Sequence, residues 1–180
     1  MKKVIKILGI AIISLLGIAM VMAIVSPRKK KSETEKSVKN EVTNDFVKIG
    51  DVLHTDYFDV TVSKTSLTET LDTGNKYTDL PKEEGNKYFL LKVTFKNTSD
   101  ESRLITDGTV WIDYNGKRYE FDKSELVVAE GWGLLLEQIN PLISKTTNLA
   151  YKLPMEIKGD AYYQPGRSDS DDLIYLGTIK

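Results

Sequence analysis

Cysteine is absent from the 180-residue sequence. Its absence excludes disulfide frameworks, thiolate metal sites and cysteine nucleophiles. It also excludes the attachment of a lipid to a cysteine, so we do not expect a lipoprotein. Because many exported domains carry no disulfides, cysteine usage leaves the redox compartment of the protein open.

Histidine and glycine-rich loops are also scarce. His54 is the only histidine, so a histidine-based catalytic triad or a multi-histidine metal site would need partners that the chain does not have. We interpret His54 as a strand-end or turn residue. The sequence Gly131-Trp132-Gly133 lacks the strand-to-helix context and the lysine of a phosphate-binding loop. Its glycines predict a tight bend beside a large side chain, with ligand binding as the alternative.

Basic residues are few beyond the N-terminus. Seven of the 25 lysines and arginines and none of the 26 acidic residues lie at or before Lys31, so residues 32–180 carry a net charge of −8. Such an excess of negative charge repels a polyanion, and no basic stripe with interleaved aromatic residues is present. We therefore expect no nucleic-acid partner.

The longest apolar run lies near the N-terminus. Residues Ile7–Val25 are nineteen consecutive residues without a charge. As a helix they would span about 28 Å, close to the ~30 Å hydrocarbon core of a bilayer. Their isoleucine, leucine and valine side chains favour insertion by roughly 5 kcal/mol. We predict that the protein contacts the membrane through Ile7–Val25.

Two fates of this segment stay open. Its length favours an uncleaved anchor, whereas the short basic start and the residues Val21-Met22-Ala23 also fit a signal peptide that is cleaved after Ala23. Basic residues flank the segment on both sides, so charge alone does not fix its orientation. We expect export, which is the ordinary arrangement for a large downstream domain. Residues 1–26 are thus predicted to be a signal anchor or signal peptide, and the polar residues 27–45 a charged flexible linker.

From Phe46 onward the hydrophobic pattern has period two. Phe58, Val60 and Val62 alternate with polar residues, which is typical of a half-buried strand. Residues Tyr88–Asn97 repeat this alternation. Helical spacing would scatter these apolar positions, so the pattern predicts strands.

A hairpin is the firmest local prediction. Asn115-Gly116 lies between the alternating runs Val110–Tyr114 and Lys117–Phe121, and a type I′ turn needs positive φ at both central residues, which Asn and Gly tolerate best. Five further strands are predicted at Val47–Leu53, Leu134–Ile139, Thr146–Leu153, Ala161–Gln164 and Leu173–Leu176.

Many short strands with breaker residues between them predict an all-β fold. We expect residues 46–180 to form an antiparallel immunoglobulin-like β-sandwich behind the N-terminal transmembrane or signal helix. Residues Ser66–Asn86 are polar and predict a long loop, and Ser124–Gly133 has room for one short helical turn.

Four motifs occur in an order that resembles a known family. They are Lys48-Ile49-Gly50-Asp51, LLKVTFKNTSDES at Leu90–Ser102, IDYNGKRYEFD at Ile112–Asp122 and LAYKLP at Leu149–Pro154. Together they resemble a widespread bacterial domain-of-unknown-function family of exported immunoglobulin-like sandwiches, similar in fold to a mycobacterial secreted immunoprotective antigen. The likeness covers residues 46–178, implies export and carries over no catalytic residues. Where that family places a Pro-Gly turn before the late strand, this chain has Asn140-Pro141-Leu142-Ile143.

Each of three polar motifs has two interpretations, one as a functional site and one as an ordinary solvated loop or turn. The acidic loop Asp169 to Asp172 offers oxygen ligands for calcium but lacks the glycine and bidentate glutamate of an EF-hand, and an acidic run is usually just solvated. Glu69 with the Glu83-Glu84 pair matches the carboxylates of a glycosidase, but nothing fixes their separation. Asn97-Thr98-Ser99 matches a glycosylation acceptor and also the turn that follows a strand.

No nucleophile and base stand in a recognisable constellation, so we expect no enzyme, no cofactor and no metal site. The sequence favours a non-catalytic, exported or membrane-anchored cell-envelope domain that binds an unknown protein or envelope component. The alternative is a ligand-sensing or hydrolytic ectodomain. A surface cluster of Trp111, Trp132 and neighbouring tyrosines would favour binding. A deep pocket with converging carboxylates would favour the enzyme.

Overall fold

Residues 46–134, 137–166 and 172–180 are described by the computed structural model of the chain. They lie in the second of the two units into which the chain divides, Val42–Lys180. Every regular element among them is a β-strand. In chain order the strands are β1 (Val47–Lys48), β2 (Leu53–His54), β3 (Phe58–Thr68), β4 (Asn86–Asn97), β5 (Arg103–Leu104), β6 (Thr109–Tyr114), β7 (Lys117–Phe121), β8 (Gln138–Ile139), β9 (Ser144–Pro154), β10 (Gly159–Gln164) and β11 (Ile174–Ile179).

Two sheets carry most of the strands. A five-stranded sheet has the order β1-β11-β10-β6-β7, a four-stranded sheet has the order β2-β3-β4-β9, and β5 and β8 form a small third sheet. The predicted all-β sandwich is therefore confirmed. Its expected antiparallel order needs one correction, because β1 pairs with β11 in parallel while all other strand pairs are antiparallel.

The hydrophobic core lies between the two large sheets. Along most of the longer strands alternate residues point inward, as the period-two pattern predicts. The four-stranded sheet contributes Phe58, Val60, Val62, Leu91, Val93, Phe95, Leu149, Tyr151 and Leu153, and the five-stranded sheet contributes Val110, Ile112, Ala161, Tyr163, Ile174 and Leu176. Burial of each large apolar side chain stabilises the fold by roughly 1.5–3 kcal/mol.

The predicted hairpin is present as β6 and β7. Asn115 and Gly116 have φ angles of 53° and 75°, as a type I′ turn requires. Asn tolerates this left-handed region because its short polar side chain bonds locally, and Gly has no Cβ to clash.

The prediction of one continuous strand at Val47–Leu53 is wrong. The chain forms β1, turns at Gly50 (φ 94°) and forms β2 in the other sheet. In the turn, the amide of Asp51 donates to the carbonyl of Lys48 at 3.0 Å. The first run therefore crosses from one layer of the sandwich to the other.

The polar segment predicted as a loop over Ser66–Asn86 is shorter than expected. Strand β3 continues to Thr68, with a bulge between Val62 and Lys64 that interrupts the alternation. Strand β4 begins at Asn86. Within the remaining loop, Leu71 and Leu80 exchange backbone hydrogen bonds of 2.9 Å.

Two other predictions are corrected. Of Leu134–Ile139 only Gln138–Ile139 is a strand; residues 135–136 lie outside the described part of the chain. This strand, β8, pairs with β5, which the sequence pattern does not predict. The segment Ser124–Gly133 holds no helical turn, because it follows the edge of β9 through isolated bridges at Ser124 and Trp132.

The membrane segment Ile7–Val25, the cleavage site after Ala23 and the linker at 27–45 lie outside the described residues. They, and the domain boundaries drawn from them, stay predictions. Within residues 46–134, 137–166 and 172–180, no helix is long and apolar enough to span a bilayer.

Candidate functional site

The two tryptophans lie on different sheets. Trp111 is in β6 between Val110 and Ile112, which point into the core, so its ring lies on the outer face of the five-stranded sheet. Trp132 packs with Leu90 and Ala150 in a second apolar cluster on the outer face of the four-stranded sheet. The single cluster of both tryptophans with tyrosines is therefore not formed. Tyrosines gather around Trp111 alone.

Aromatic rings cover the middle of the five-stranded sheet on its outer side. Tyr162 of β10 lies at their centre, opposite Trp111 on one side and Tyr175 on the other in the strand register. The ring centroids of Phe46 and Tyr175 are 5.0 Å and 5.5 Å from that of Tyr162. Tyr162 is only 8% exposed, while its aromatic neighbours are half-buried. We call Phe46, Trp111, Tyr162, Tyr175 and the adjoining Arg118 the aromatic face.

Arg118 supplies the charge of this face. Its guanidinium carbon lies 5.1 Å from the Tyr162 ring centroid, within the range of a cation–π contact. Its Nε and Nη2 donate to the two carboxylate oxygens of Asp113 at 2.7 Å and 2.8 Å. This hydrogen-bonded pair lowers the pKa of Asp113 and raises that of Arg118. Burial raises the pKa of Tyr162, with a further contribution from the carboxylates of Asp113 and Asp160.

Hydrogen bonds hold the rim of the aromatic face in place. The indole Nε1 of Trp111 donates to Oε1 of Gln164 at 3.0 Å. Oδ1 of Asp160 accepts from the hydroxyls of Tyr175 at 3.1 Å and Thr178 at 2.6 Å.

A shallow cleft of about 290 Å³ opens at one side of the face, lined by Trp111, Arg118, Gln164 and Leu173. A ring beside a guanidinium suits a flat apolar group that carries an acceptor, since the ring stacks and the guanidinium donates.

The sequence of residues 47–166 matches the family model of DUF4352, a domain of unknown function. The chain belongs to this family. No curated protein matches it significantly.

Solved structures share the fold of this DUF4352 domain. An uncharacterized β-sandwich protein from Clostridium difficile has a TM-score of 0.52 at 17% identity, with 84% of this chain and 100% of that chain covered. The yjhA protein from Bacillus subtilis has a TM-score of 0.51 at 16% identity, with coverages of 73% and 100%. A Staphylococcus aureus protein described as "a putative lipoprotein" has a TM-score of 0.50 at 14% identity, with coverages of 76% and 92%. At these identities the likeness concerns the fold alone.

The glycines beside Trp132 in the DUF4352 domain form the predicted tight bend. Gly131 and Gly133 have φ angles of 80° and 69°. The carbonyl of Gly131 accepts from the backbone and side-chain amides of Asn148 at 2.8 Å and 2.9 Å, and the carbonyl of Gly133 accepts from the Thr147 hydroxyl at 2.8 Å. These bonds fasten the segment to β9, and no phosphate-loop geometry is formed.

The two side chains considered for a catalytic triad, His54 and Ser124, are far apart in the fold. His54 ends β2, as a strand-end residue was predicted to do, and its Nδ1 lies 2.6 Å from Oδ1 of Asp59. Ser124 donates to the carboxylate of Asp107 beside β9. Strands β2 and β9 are opposite edges of the four-stranded sheet, so these two pairs do not combine into a triad.

A second cleft, of about 270 Å³ and with mainly apolar walls, lies next to Ser124. The backbone carbonyl of Asp107 at its side accepts from the buried hydroxyls of Tyr151 at 2.7 Å and Tyr163 at 2.6 Å. Burial raises the pKa of both tyrosines well above the usual value. The two phenols therefore stay protonated, and their hydrogen bonds hold the loop between β5 and β6 in place.

Two of the three glutamates considered as glycosidase carboxylates, Glu83 and Glu69, are each bound to a lysine. Glu83 accepts from Lys152 at 2.9 Å, which is the main cause of its lowered pKa. Glu69 pairs with Lys82. The lowered pKa keeps the carboxylate of Glu83 ionised, which makes it unsuited to act as a general acid.

The calcium hypothesis falls mostly outside the described residues, because residues 167–171 of the acidic loop are not among them. In the described part of the chain no group of three or more His, Cys, Asp or Glu side chains is placed to hold a metal.

Asn97 is the buried last residue of β4, and its side chain holds the turn that follows. Its side-chain amide donates to the carbonyls of Glu101 at 2.7 Å and Ile139 at 2.8 Å. Its Oδ1 accepts from the amide and the hydroxyl of Ser99 at 2.9 Å and 2.7 Å. The turn interpretation of Asn97-Thr98-Ser99 is confirmed, and this side chain is closed to glycosylation in the folded domain.

Sequence reasoning identified Trp111 and missed its partners. Tyr162 is the middle residue of Ala161-Tyr162-Tyr163, where the alternation alone marks it as outward-facing. Arg118 lies in the predicted hairpin opposite Asp113, a cross-strand pair that the turn register already defines. Phe46 precedes the first strand and had no local signal.

Proposed function

We propose that the chain is a non-catalytic domain of the cell envelope that binds a protein or another envelope component through its aromatic face. The observation that carries this proposal is the position of Tyr162. Its ring is nearly buried on the outer side of a sheet, in contact with Phe46, Tyr175 and Arg118 and opposite Trp111 in the strand register.

The composition of the aromatic face supports binding. Outward positions of a half-solvated sheet are usually polar. Aromatic and arginine side chains are enriched at interfaces, because they combine a large rigid contact area with a directional donor. The bidentate pair with Asp113 and the hydrogen bond from Trp111 to Gln164 orient these groups before a partner arrives, which reduces the entropy lost on binding.

The location in the proposal depends on the N-terminal segment. Ile7–Val25 anchors the domain in the membrane with the sandwich outside, or is removed near Ala23 to release it. The Staphylococcus aureus neighbour described as a lipoprotein supports an envelope location. Since this chain has no cysteine to carry a lipid, the apolar segment takes the role of the lipid anchor. We also propose that the sandwich has immunoglobulin-like topology and that its fold is similar to that of a mycobacterial secreted antigen.

The alternative of a hydrolytic or ligand-sensing ectodomain has less support. Ser124 and His54 lie at opposite edges of one sheet, and the clefts are shallow. We therefore propose binding without catalysis.

The experiment compares two surface variants of the full chain on intact cells. Trp111→Ala removes an indole ring from the aromatic face. Trp132→Ala removes an indole ring from the outer face of the other sheet. Surface crosslinking followed by mass spectrometry is expected to recover a partner with the wild type and with Trp132→Ala, and to lose it with Trp111→Ala. Equal recovery from both variants would refute binding through this face.

Added protease tests the location separately. Digestion of the sandwich on intact cells is expected, whereas digestion only after lysis would overturn the outside orientation.

A further inference from the structure

Strand β7 is an open edge of the five-stranded sheet. It pairs with β6 on one side, and no described strand pairs with it on the other. Its first four residues, Lys117 to Glu120, are exposed. An open edge presents unpaired amides and carbonyls, which form a template for a further strand.

The hairpin turn determines which backbone groups face this edge. In a two-residue hairpin the residues that flank the turn, here Tyr114 and Lys117, form a hydrogen-bonded pair, and the pairs then alternate along the ladder. The amides and carbonyls of Lys117, Tyr119 and Phe121 are therefore directed at β6. Those of Arg118 and Glu120 are directed at the open edge.

The charges of β7 select one symmetric register. We propose that β7 binds β7 of a second copy of this chain, antiparallel and centred on Tyr119. In this register Arg118 lies opposite the partner's Glu120, and the backbone groups of both face the shared edge.

The two adjacent symmetric registers are unfavourable. They place either two Arg118 residues or two Glu120 residues opposite each other, and like charges in directly opposed positions destabilise a strand pair.

The charges beyond β7 fit the same register. Within the described chain, Asp113 forms an ion pair with Arg118, and Glu120 forms no ion pair and lies opposite Trp111. In the dimer Arg118 is flanked by Asp113 of its own chain and by the partner's Glu120. The pairing thus gives each Glu120 the cation that its own sheet lacks.

The contact is small, which determines where the dimer forms. One five-residue edge buries far less than the roughly 800 Å² per partner of a stable interface. We expect weak association in dilute solution and dimers where copies are concentrated, as on a membrane. The contact uses the backbone edge of β7 and shares only Arg118 with the aromatic face. The concentration of copies on a membrane rests on the location given in the proposed function.

The absence of cysteine makes a clean crosslinking test possible. In the proposed register the two Tyr119 residues form a non-hydrogen-bonded pair with Cα atoms about 4.5 Å apart, within reach of a disulfide. Full chains with the single substitution Tyr119→Cys or Ser66→Cys are expressed in membranes and oxidised. Ser66 is exposed on β3 of the other sheet and serves as the collision control.

A disulfide-linked dimer is expected for Tyr119→Cys, well above the level of Ser66→Cys. Equal crosslinking of both variants, or none, would refute the edge pairing. Added Glu120→Arg should lower the Tyr119→Cys dimer about tenfold, because two cross-strand pairs change from attraction to repulsion.

Heterodimers test the register itself. A chain with Tyr119→Cys and Glu120→Arg is co-expressed with a differently tagged chain that carries Tyr119→Cys and Arg118→Glu. The mixed disulfide is expected to exceed either homodimer. If the three products form in statistical proportion, charge does not determine the pairing and the proposed register is wrong.

Discussion

Buried polar side chains fasten the connections between strands to the core of the sandwich. Besides Asn97, the buried polar residues are Lys87 and Thr147. Nζ of Lys87 donates to the carbonyls of Met155 at 3.0 Å and Ile157 at 2.9 Å, and burial lowers the pKa of this amine. No buried side-chain nitrogen or oxygen of the described residues lacks a partner, so removal of one side chain leaves its partners unsatisfied.

Asn97→Ala is expected to destabilise the domain by about 3 kcal/mol, because the buried carbonyl of Ile139 loses its donor and the turn at Ser99 loses its acceptor. Urea denaturation measures the change. Asn148→Ala is the matched control: this exposed amide makes one bond, to Gly131, and should cost less than about 1 kcal/mol. Equal losses for the two variants would contradict a structural role for Asn97.

Leu142 has a conformation that leucine disfavours. Its φ angle is 65° and its side chain is 74% exposed. It follows Pro141 in the turn where the amide of Ile143 donates to the carbonyl of Asn140 at 3.2 Å. Proline followed by a residue with positive φ is the sequence of a type II turn, in which glycine is preferred at the second position. The turn thus keeps the geometry of a Pro-Gly turn without the glycine.

Leu142→Gly is therefore expected to stabilise the domain by about 0.5–1 kcal/mol, since relief of about 1–2 kcal/mol of left-handed strain exceeds the added entropy of the unfolded chain. A rise in the urea midpoint without a change in slope is the measurement. Leu126→Gly serves as the control, because Leu126 is similarly exposed but has no positive φ and should lose stability. A loss for Leu142→Gly as well would show that the turn is not strained.

The β6–β7 hairpin joins local turn chemistry to the aromatic face. Its register places Arg118 opposite Asp113, and the guanidinium then also contacts Tyr162. Both partners of this ion pair are more than a third exposed, so water and salt screen it.

Asp113→Asn is expected to cost about 0.5 kcal/mol at neutral pH and low salt. The pKa of Asp113 is lower in the folded than in the unfolded chain, so the pair stabilises the fold fully above the unfolded-state pKa of about 4 and loses its effect as the pH falls through the lowered pKa. Denaturation at several pH values tests this. Asp122→Asn, which removes a carboxylate without an ion pair, should change stability little at any pH. A difference between Asp113→Asn and wild type that persists at pH 2 would contradict the ionic origin.

Elements whose cause is local could be predicted from the sequence, and elements paired over long distances could not. The hairpin depends on Asn115-Gly116 and its immediate neighbours, so the pattern was sufficient. Strand β5 has only two residues and exists because Arg103 and Leu104 reach β8, some 35 positions later. The β3 bulge likewise depends on pairing with β4, which no period-two pattern in one strand reveals.

The aromatic face shows the same limit for the whole molecule. Tyr162, Arg118 and Phe46 come from three separate parts of the chain, and they meet because β10 lies between β6 and β11. Their outward direction follows from alternation, but their adjacency follows from sheet order. Sequence reasoning therefore identified Trp111 but placed Trp132 in the same cluster, because no local sequence feature shows that Trp132 lies on the other sheet.

The sandwich is expected to fold without the N-terminal segment. The described core is built from residues after position 46, and the first ring contact among the described residues is that of Phe46 with Tyr162. A chain that begins at Asn44 should be soluble, give a β-rich circular dichroism spectrum and unfold in one cooperative transition, as small domains do. A chain that begins at Val47 lacks the ring of Phe46 and should unfold at a lower urea concentration, with the same spectrum. A mainly helical spectrum from either chain would refute the fold, and identical midpoints would show that Phe46 does not hold the aromatic face together.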